Sequence, residues 1–220
     1  MPKWAAVIFD LDGVIVNTDA FHYKAWKRIA DRAGIPFDER TNDLLRGVSR
    51  FDSLEIMLNA AGMKLAPEEK ALLAEEKNTY YREYLDGLKP EQVQAETLCA
   101  LKALKDIGVK LAIGSSSKNA RTILEKLDMV HLFDAISDGN NISRSKPDPG
   151  VFLKAAEYLS LSPTECIVVE DAESGLLAGK NAGMSTVAYG PAASKYAADF
   201  FIESIPEIVD VLASSTPADD

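Results

Sequence analysis

The chain has 220 residues, 47% of them apolar, and its 34 acidic and 24 basic side chains give a formal net charge of −10. That length suffices for one large domain or a core with a smaller companion, and no apolar run is long enough to span a bilayer. The negative charge argues against nucleic acid and anionic membrane surfaces as partners, so an anionic substrate would need a local cationic pocket. The opening "MPKW" runs straight into the first predicted strand, so no secretory leader is expected. Cys99 and Cys166 fit no metal or redox spacing and are expected to be reduced, partly buried thiols of a cytoplasmic protein. A monomer is expected, and the small polar tail "SSTPADD" is expected to fray.

Ala5 to Phe9 form a short unbroken apolar run, the pattern of a parallel strand covered on both faces. Asp10 and Asp12 follow two positions apart, so in an extended chain both carboxylates leave one face. Two like charges that close resist ionising together unless a cation compensates them. An Asp12-Gly13 turn explains only the second of the pair. From about Asp19 to Leu88 every segment reads as helix. Phe21, Ala25, Ile29 and Ala33 recur at i, i+4, and "LLAEEKNTYYREYL" is long and amphipathic.

Helices and strands then alternate. Helix "ETLCALKALKDIG", closed by Gly108, precedes strand "VKLAIG", helix "ARTILEKLDM", the short strand "FDAIS" and a helix opened by Asp148-Pro149. Strand "CIVVE", helix "ESGLLAGKNAG", strand "STVAY", a short strand near "DFFI" and helix "IPEIVDVLAS" follow. The alternation predicts an α/β fold, a doubly wound parallel sheet of Rossmann-like type built from residues 1–16 and 92–220. The all-helical stretch 17–91 reads as a second, smaller domain inserted after the first strand.

Ligands of open α/β sheets sit at the carboxyl ends of the strands. Here those ends offer Asp10 and Asp12, then Ser115-Ser116-Ser117 leading into a helix, then Lys146 in a loop, then Glu170-Asp171. The carboxylates call for a hard cation, and Mg²⁺ bound by carboxylates with a substrate phosphate is the usual arrangement. The hydroxyl, the helix start and Lys146 suit phosphate oxygens. The opening acidic pair is thus explained by a metal and a lysine.

In order, "DLDGVIVNT", "GSSS", "KPDP" and "VEDAESG" resemble the motifs of the haloacid dehalogenase superfamily of phosphotransferases, and the resemblance covers the whole chain. It implies that Asp10 is a nucleophile attacking phosphorus in line to form an aspartyl-phosphate. It implies Mg²⁺ held by Asp10, Asp171 and the backbone carbonyl of Asp12, with Glu170 in the same set. Asp12 would keep its carboxylate off the metal and act as general acid and base. Lys146 and Ser115 would bind the equatorial phosphate oxygens.

In the helical block the chain is similar to the β-phosphoglucomutase family, through "TDAFHYKAW", "RGVSRFDSL", "EKN" ending at Asn78, and "SSSKNA". That family interconverts β-glucose 1-phosphate and glucose 6-phosphate through β-glucose 1,6-bisphosphate. The resemblance implies that the block is a cap, with Arg50 as the cation for the distal phosphate. It gives Gly47 and Val48 backbone contacts to the sugar, and Ser117, Lys118 and Asn119 polar contacts from the core side. Thr18, His22 and Trp26 join the substrate set, with His22 orienting the loop of Asp12 when the cap closes. Trp26 serves equally well as cap core, and Arg50 could pair at the surface with Asp52 or Asp43.

Three positions depart from the family pattern. Arg46 stands where Lys is common, Asn17 where Asp is common, and "QAE" replaces a frequent Pro-Gly before the helix at 97. The first keeps charge but not geometry. Linkers near Val14 to Asn17 and near Lys89 to Ala95 would let the cap move, and a cis Lys146-Pro147 bond is expected. A sugar-phosphate phosphatase with the same core is the nearer alternative reading. A phosphorylated signalling receiver keeps its Asp on a later strand and leaves the helical block unexplained.

Overall fold

Residues 3–190 and 195–214 are described by a computed structural model. The first strand, β1 (Ala6–Phe9), is followed by four helices, α1 (Asp19–Ala33), α2 (Glu39–Asp43), α3 (Arg50–Ala60) and α4 (Pro67–Leu85). Alternation then begins with α5 (Ala95–Asp106), β2 (Lys110–Gly114), α6 (Ala120–Lys126), β3 (Ala135–Ser137) and α7 (Gly150–Leu159). It continues through β4 (Cys166–Glu170), α8 (Glu173–Asn181), β5 (Ser185–Tyr189), β6 (Phe200–Ile202) and α9 (Ile208–Ser214).

The strands form one parallel sheet in the order β3-β2-β1-β4-β5-β6. From β1 the chain builds outward to one edge through β2 and β3, then returns to build the other through β4, β5 and β6. The reversal leaves a crevice at the carboxyl ends of β1 and its neighbours. Period-2 alternation divides each strand between two cores. Val7 and Phe9, with Leu111, Ile113, Ile167 and Val169, pack under α5, α6 and α9. Ala6 and Ile8, with Ala112 and Val168, pack under α7 and α8.

The helical block has a core of its own, built from Trp26 and Ile29 of α1, Leu54, Met57 and Leu58 of α3, and Ala74 of α4. Tyr81, Leu85 and Leu88 instead pack with Val14, Ile15 and Val16 onto the sheet core. The block is therefore self-supporting at its far side and seated on the sheet at its near side.

Some details differ from the sequence reading. α6 stops at Lys126, short of the predicted Met129, because Asp128 turns left-handed at φ 54° and the Met129 N–H closes on Leu124 O at 2.8 Å. Cys166 is buried, but Cys99 is exposed, being out of phase with the buried face Thr97, Ala100, Leu101 and Leu104 of α5. The Lys146-Pro147 bond is cis, as expected. Among the described residues no helix is long and apolar enough to cross a membrane. The tail expected to fray lies, from residue 215 onward, outside the described residues.

Candidate active site

Asp10 is the first residue past β1, and its N–H donates to Val169 O of β4 at 2.9 Å. Its buried carboxylate accepts a hydrogen bond from Lys146, whose ammonium also lies 2.5 Å from Glu170 Oε1. Burial alone would lower the lysine pKa, but Asp10 and Glu170 outweigh it and hold the group charged. The loop before α7 thus delivers a fixed positive charge to the strand end that carries two acids.

Asp12 faces the same cavity with different partners. Thr18 donates its hydroxyl to Asp12 Oδ1, and Tyr81 OH lies 3.0 Å from the same Thr18 oxygen. Burial pushes the Asp12 carboxyl up to about 7, with the Thr18 bond opposing and the Asp10 charge assisting. A carboxyl poised there can hold or release a proton near neutrality, as general acid and base work requires. Gly13 makes this turn possible, with φ at +97°, and a Cβ there would lie 2.3 Å from Asp171 Oδ2.

Carboxylate oxygens of Asp10, Glu170 and Asp171 come within 4.8 Å of one another. Burial and then mutual repulsion raise the pKa of Asp171, and burial raises that of Glu170. One lysine does not neutralise three such acids, and an all-oxygen donor set suits a hard divalent cation. The residues therefore fit the metal that the resemblance implies. Gly175 keeps the set compact, since a Cβ there would overlap Glu170 Oε1 at 1.8 Å.

The helical block supplies the opposite wall. His22 stacks beside Tyr81 with ring centroids 4.1 Å apart, and its Nδ1 lies 2.8 Å from Lys77 Nζ. Lys77 is only 2% exposed, 4.5 Å from the Tyr81 ring and 5.1 Å from that of Trp26. Burial, then the Arg50 charge, lower its pKa to about 7. Sequence reading missed Lys77, although a signal existed: it occupies the buried stripe Ala74, Lys77, Tyr81 and Leu85 of α4.

Arg50 opens α3 after the cap residue Ser49. Its Nη1 lies 3.3 Å from Glu75 Oε2 and makes no hydrogen bond among the described residues. Neither Asp52 nor Asp43 pairs with it: Asp52 turns to Ser49 and Ser145, and Asp43 to Arg46. Arg46 also reaches Asp19 at 2.8 Å and Asp171 at 3.5 Å.

Between the two walls lies a cavity of about 900 Å³. Asp10, Asp12, Ser115, Lys146 and Asp171 line it from the strand ends, with Ser117, Lys118 and Asn119 beside them. His22, Trp26, Gly47, Val48, Arg50 and Lys77 line it from the helical side. Trp26 belongs to the cap core as well. Thr18 and Glu170 do not line it; they stand behind Asp12 and Lys146 and hold them. Four hydrogen bonds join the walls of the cavity among the described residues: Asn119 Nδ2 to Asn78 Oδ1 at 2.9 Å, Ser174 Oγ to Arg46 O at 3.3 Å, Arg46 Nη1 to Asp171 Oδ2 at 3.5 Å, and Ser145 Oγ to Asp52 Oδ2.

Residues 7–189 match the family model described as haloacid dehalogenase-like hydrolase. The chain belongs to this family. As a haloacid dehalogenase-like protein it is 40% identical to a β-phosphoglucomutase of Bacillus subtilis, over 92% of this chain and 91% of that one. It is 33% identical to a phosphorylated carbohydrates phosphatase of Thermotoga maritima, over 84% of each chain. The crystal structure of a β-phosphoglucomutase from Clostridium difficile superposes with a TM-score of 0.91 at 34% identity, covering 96% of both chains. That coverage takes in the helical block as well as the sheet, so this haloacid dehalogenase-like enzyme shares both parts with its relative.

Proposed function

We propose that the enzyme interconverts β-D-glucose 1-phosphate and D-glucose 6-phosphate through β-glucose 1,6-bisphosphate and an aspartyl-phosphate at Asp10. The observation that carries this reading is one cavity lined at one end by Asp10 and Lys146 and on its helical wall by Arg50. A bisphosphate needs two cationic sites, and Arg50 has a buried nitrogen without a hydrogen bond among the described residues. Likeness to two β-phosphoglucomutases supports the same substrate pair.

In this reading Asp10 accepts the phosphoryl group as the bond from phosphorus to a sugar oxygen breaks, and Asp12 gives that oxygen its proton. The second sugar hydroxyl then takes the phosphoryl group from Asp10 while Asp12 takes the hydroxyl proton. Ser115 accepts from Ser117 N–H at 3.1 Å, which leaves its own proton to donate to a phosphate oxygen. Lys146 holds a second oxygen where charge spreads in a loose transition state. Asp10, Glu170, Asp171 and the Asp12 carbonyl would hold Mg²⁺, which when bound neutralises the repulsion between carboxylate and phosphate.

Residues 17–91 act here as the cap, and residues 1–16 and 92–220 as the core. Gly47 and Val48 offer backbone groups to the sugar, Ser117, Lys118 and Asn119 polar groups, and Trp26 an apolar wall. Thr18 and His22 serve the loop of Asp12. A cytoplasmic monomer acting on a sugar phosphate completes the reading.

The test supplies β-glucose 1-phosphate, a trace of the bisphosphate and Mg²⁺, and follows products by phosphorus NMR. Glucose 6-phosphate as the main product supports a mutase. Free phosphate alone would instead favour a phosphatase such as the Thermotoga maritima relative's name describes. No conversion at all would overturn both.

A further inference from the structure

One carboxylate ties together the two segments that carry the phosphate-binding cations. Asp52 is the third residue of α3, two after Arg50. Its Oδ2 accepts the Ser49 hydroxyl at 2.6 Å, and its own N–H donates to Ser49 Oγ at 3.3 Å. That much is ordinary helix capping. The same Oδ2 also accepts the hydroxyl of Ser145, 93 residues away in the core loop, which capping does not explain. Ser145 directly precedes Lys146, whose ammonium is fixed by Asp10 and Glu170.

We propose that Asp52 is a positioning residue: by holding Ser145 it fixes the spacing between the site at Asp10 and Lys146 and the site at Arg50. The proposal rests on the mutase reading above. A bisphosphate must occupy the cavity in two orientations, each time with one phosphate at either end. A single spacing can serve both orientations only if it is held constant. In the step at stake the bond from Asp10 to phosphorus breaks, an acceptor oxygen bonds to phosphorus, and the acceptor's proton passes to Asp12. The acceptor is a sugar hydroxyl or a water. With the spacing held, the sugar hydroxyl keeps its near-attack position and outcompetes water. The acceptor atom for Ser145 is charged, which makes the bond stronger than a neutral one.

The test phosphorylates the full-length enzyme with acetyl phosphate, removes the donor, and adds β-glucose 1-phosphate with Mg²⁺. The readout is the ratio of glucose 6-phosphate to inorganic phosphate. Asp52→Ala and Ser145→Ala should each lower this ratio roughly tenfold, the worth of a charge-assisted hydrogen bond. The double variant should lose no more than either single one. Asp52→Asn keeps an acceptor oxygen and should stay within about twofold of wild type. A purely structural role would lower melting temperature or kcat without moving the ratio. If Asp52→Ala fails to fold for want of its cap, Ser145→Ala and Asp52→Asn still decide. Unchanged ratios, or losses that multiply in the double variant, would overturn the proposal. If wild type makes no glucose 6-phosphate, the mutase reading fails and this one falls with it; if wild type does and Ser145→Ala is unaffected, only this one fails.

Discussion

Lys77 Nζ lies 2.8 Å from His22 Nδ1, and both residues are enclosed between α1 and α4. While Lys77 is an ammonium it has no acceptor, so in that state His22 receives this bond at Nδ1 and carries its own proton on Nε2. Burial, and then the Lys77 charge, keep the imidazole neutral by pulling its pKa well below the usual value. Below about pH 7 the pair therefore presents one positive charge to the cavity and fixes one tautomer of the histidine.

That burial has a pH signature. Lys77 falls from the ordinary 10.5 to about 7 in the folded chain, so the unfolded chain binds the extra proton between those values. Its penalty on stability is full below about pH 7 and fades as the pH rises toward about 10.5. Lys77→Met should therefore melt above wild type near pH 6, each kcal/mol of relief being worth about 2–4 °C at this chain length. The advantage should shrink toward about pH 10. An equal difference at both pH values would mean that the buried ammonium is not its source.

Asp10→Asn should abolish turnover and leave the fold intact. An amide is no nucleophile, and Glu170 still neutralises Lys146 at 2.5 Å. Intact mass after incubation with acetyl phosphate checks the first point, and a melting curve checks the second. A variant that still took up a phosphoryl group would remove Asp10 from the role of nucleophile.

Asp12→Ala should lose ~10²–10⁴-fold in kcat, the range of a lost general acid and base. Thr18→Val should lose about tenfold in kcat with KM unchanged, because its hydroxyl holds Asp12 and not the sugar. A raised KM with normal kcat would instead make Thr18 a sugar contact.

Arg50→Ala should separate the two halves of the proposed reaction. A guanidinium–phosphate contact inside the cavity is charge-assisted and worth roughly 2–5 kcal/mol. The variant should lose most mutase activity yet still be phosphorylated by acetyl phosphate, and its phospho-enzyme should drain to water. Wild-type mutase rates would show that the distal phosphate sits elsewhere.

The alternation of strands and helices and the strand-end residues were legible because each rests on short-range pattern: an apolar run, then an acid, a hydroxyl or a lysine. Partner choice was not. Arg50 meets Glu75 rather than Asp52 or Asp43, because α3 lies against α4 and not against its own first turn. Thr18 lies behind Asp12, beside a tyrosine 63 residues later in the chain. Lys77 was hidden by its company, since a lone lysine in an apolar stripe reads as helix before it reads as chemistry.

The central place of β1 bears on how the protein is made. Asp10 leaves the ribosome 136 residues before its ammonium partner, and β4, which receives its N–H, comes later still. Among the described residues the strand that leads into Asp10 pairs only with strands separated from it by the whole helical block or more. Such distant pairings are slow to form, whereas the helical block has local contacts and its own core to fold around. A nascent chain would thus acquire its cap early and its chemistry last. Until β4 is in place Asp10 lacks both the carbonyl that receives its N–H and the glutamate that shares its lysine, so on the proposed chemistry an unfinished copy would leave phosphorylated sugar untouched.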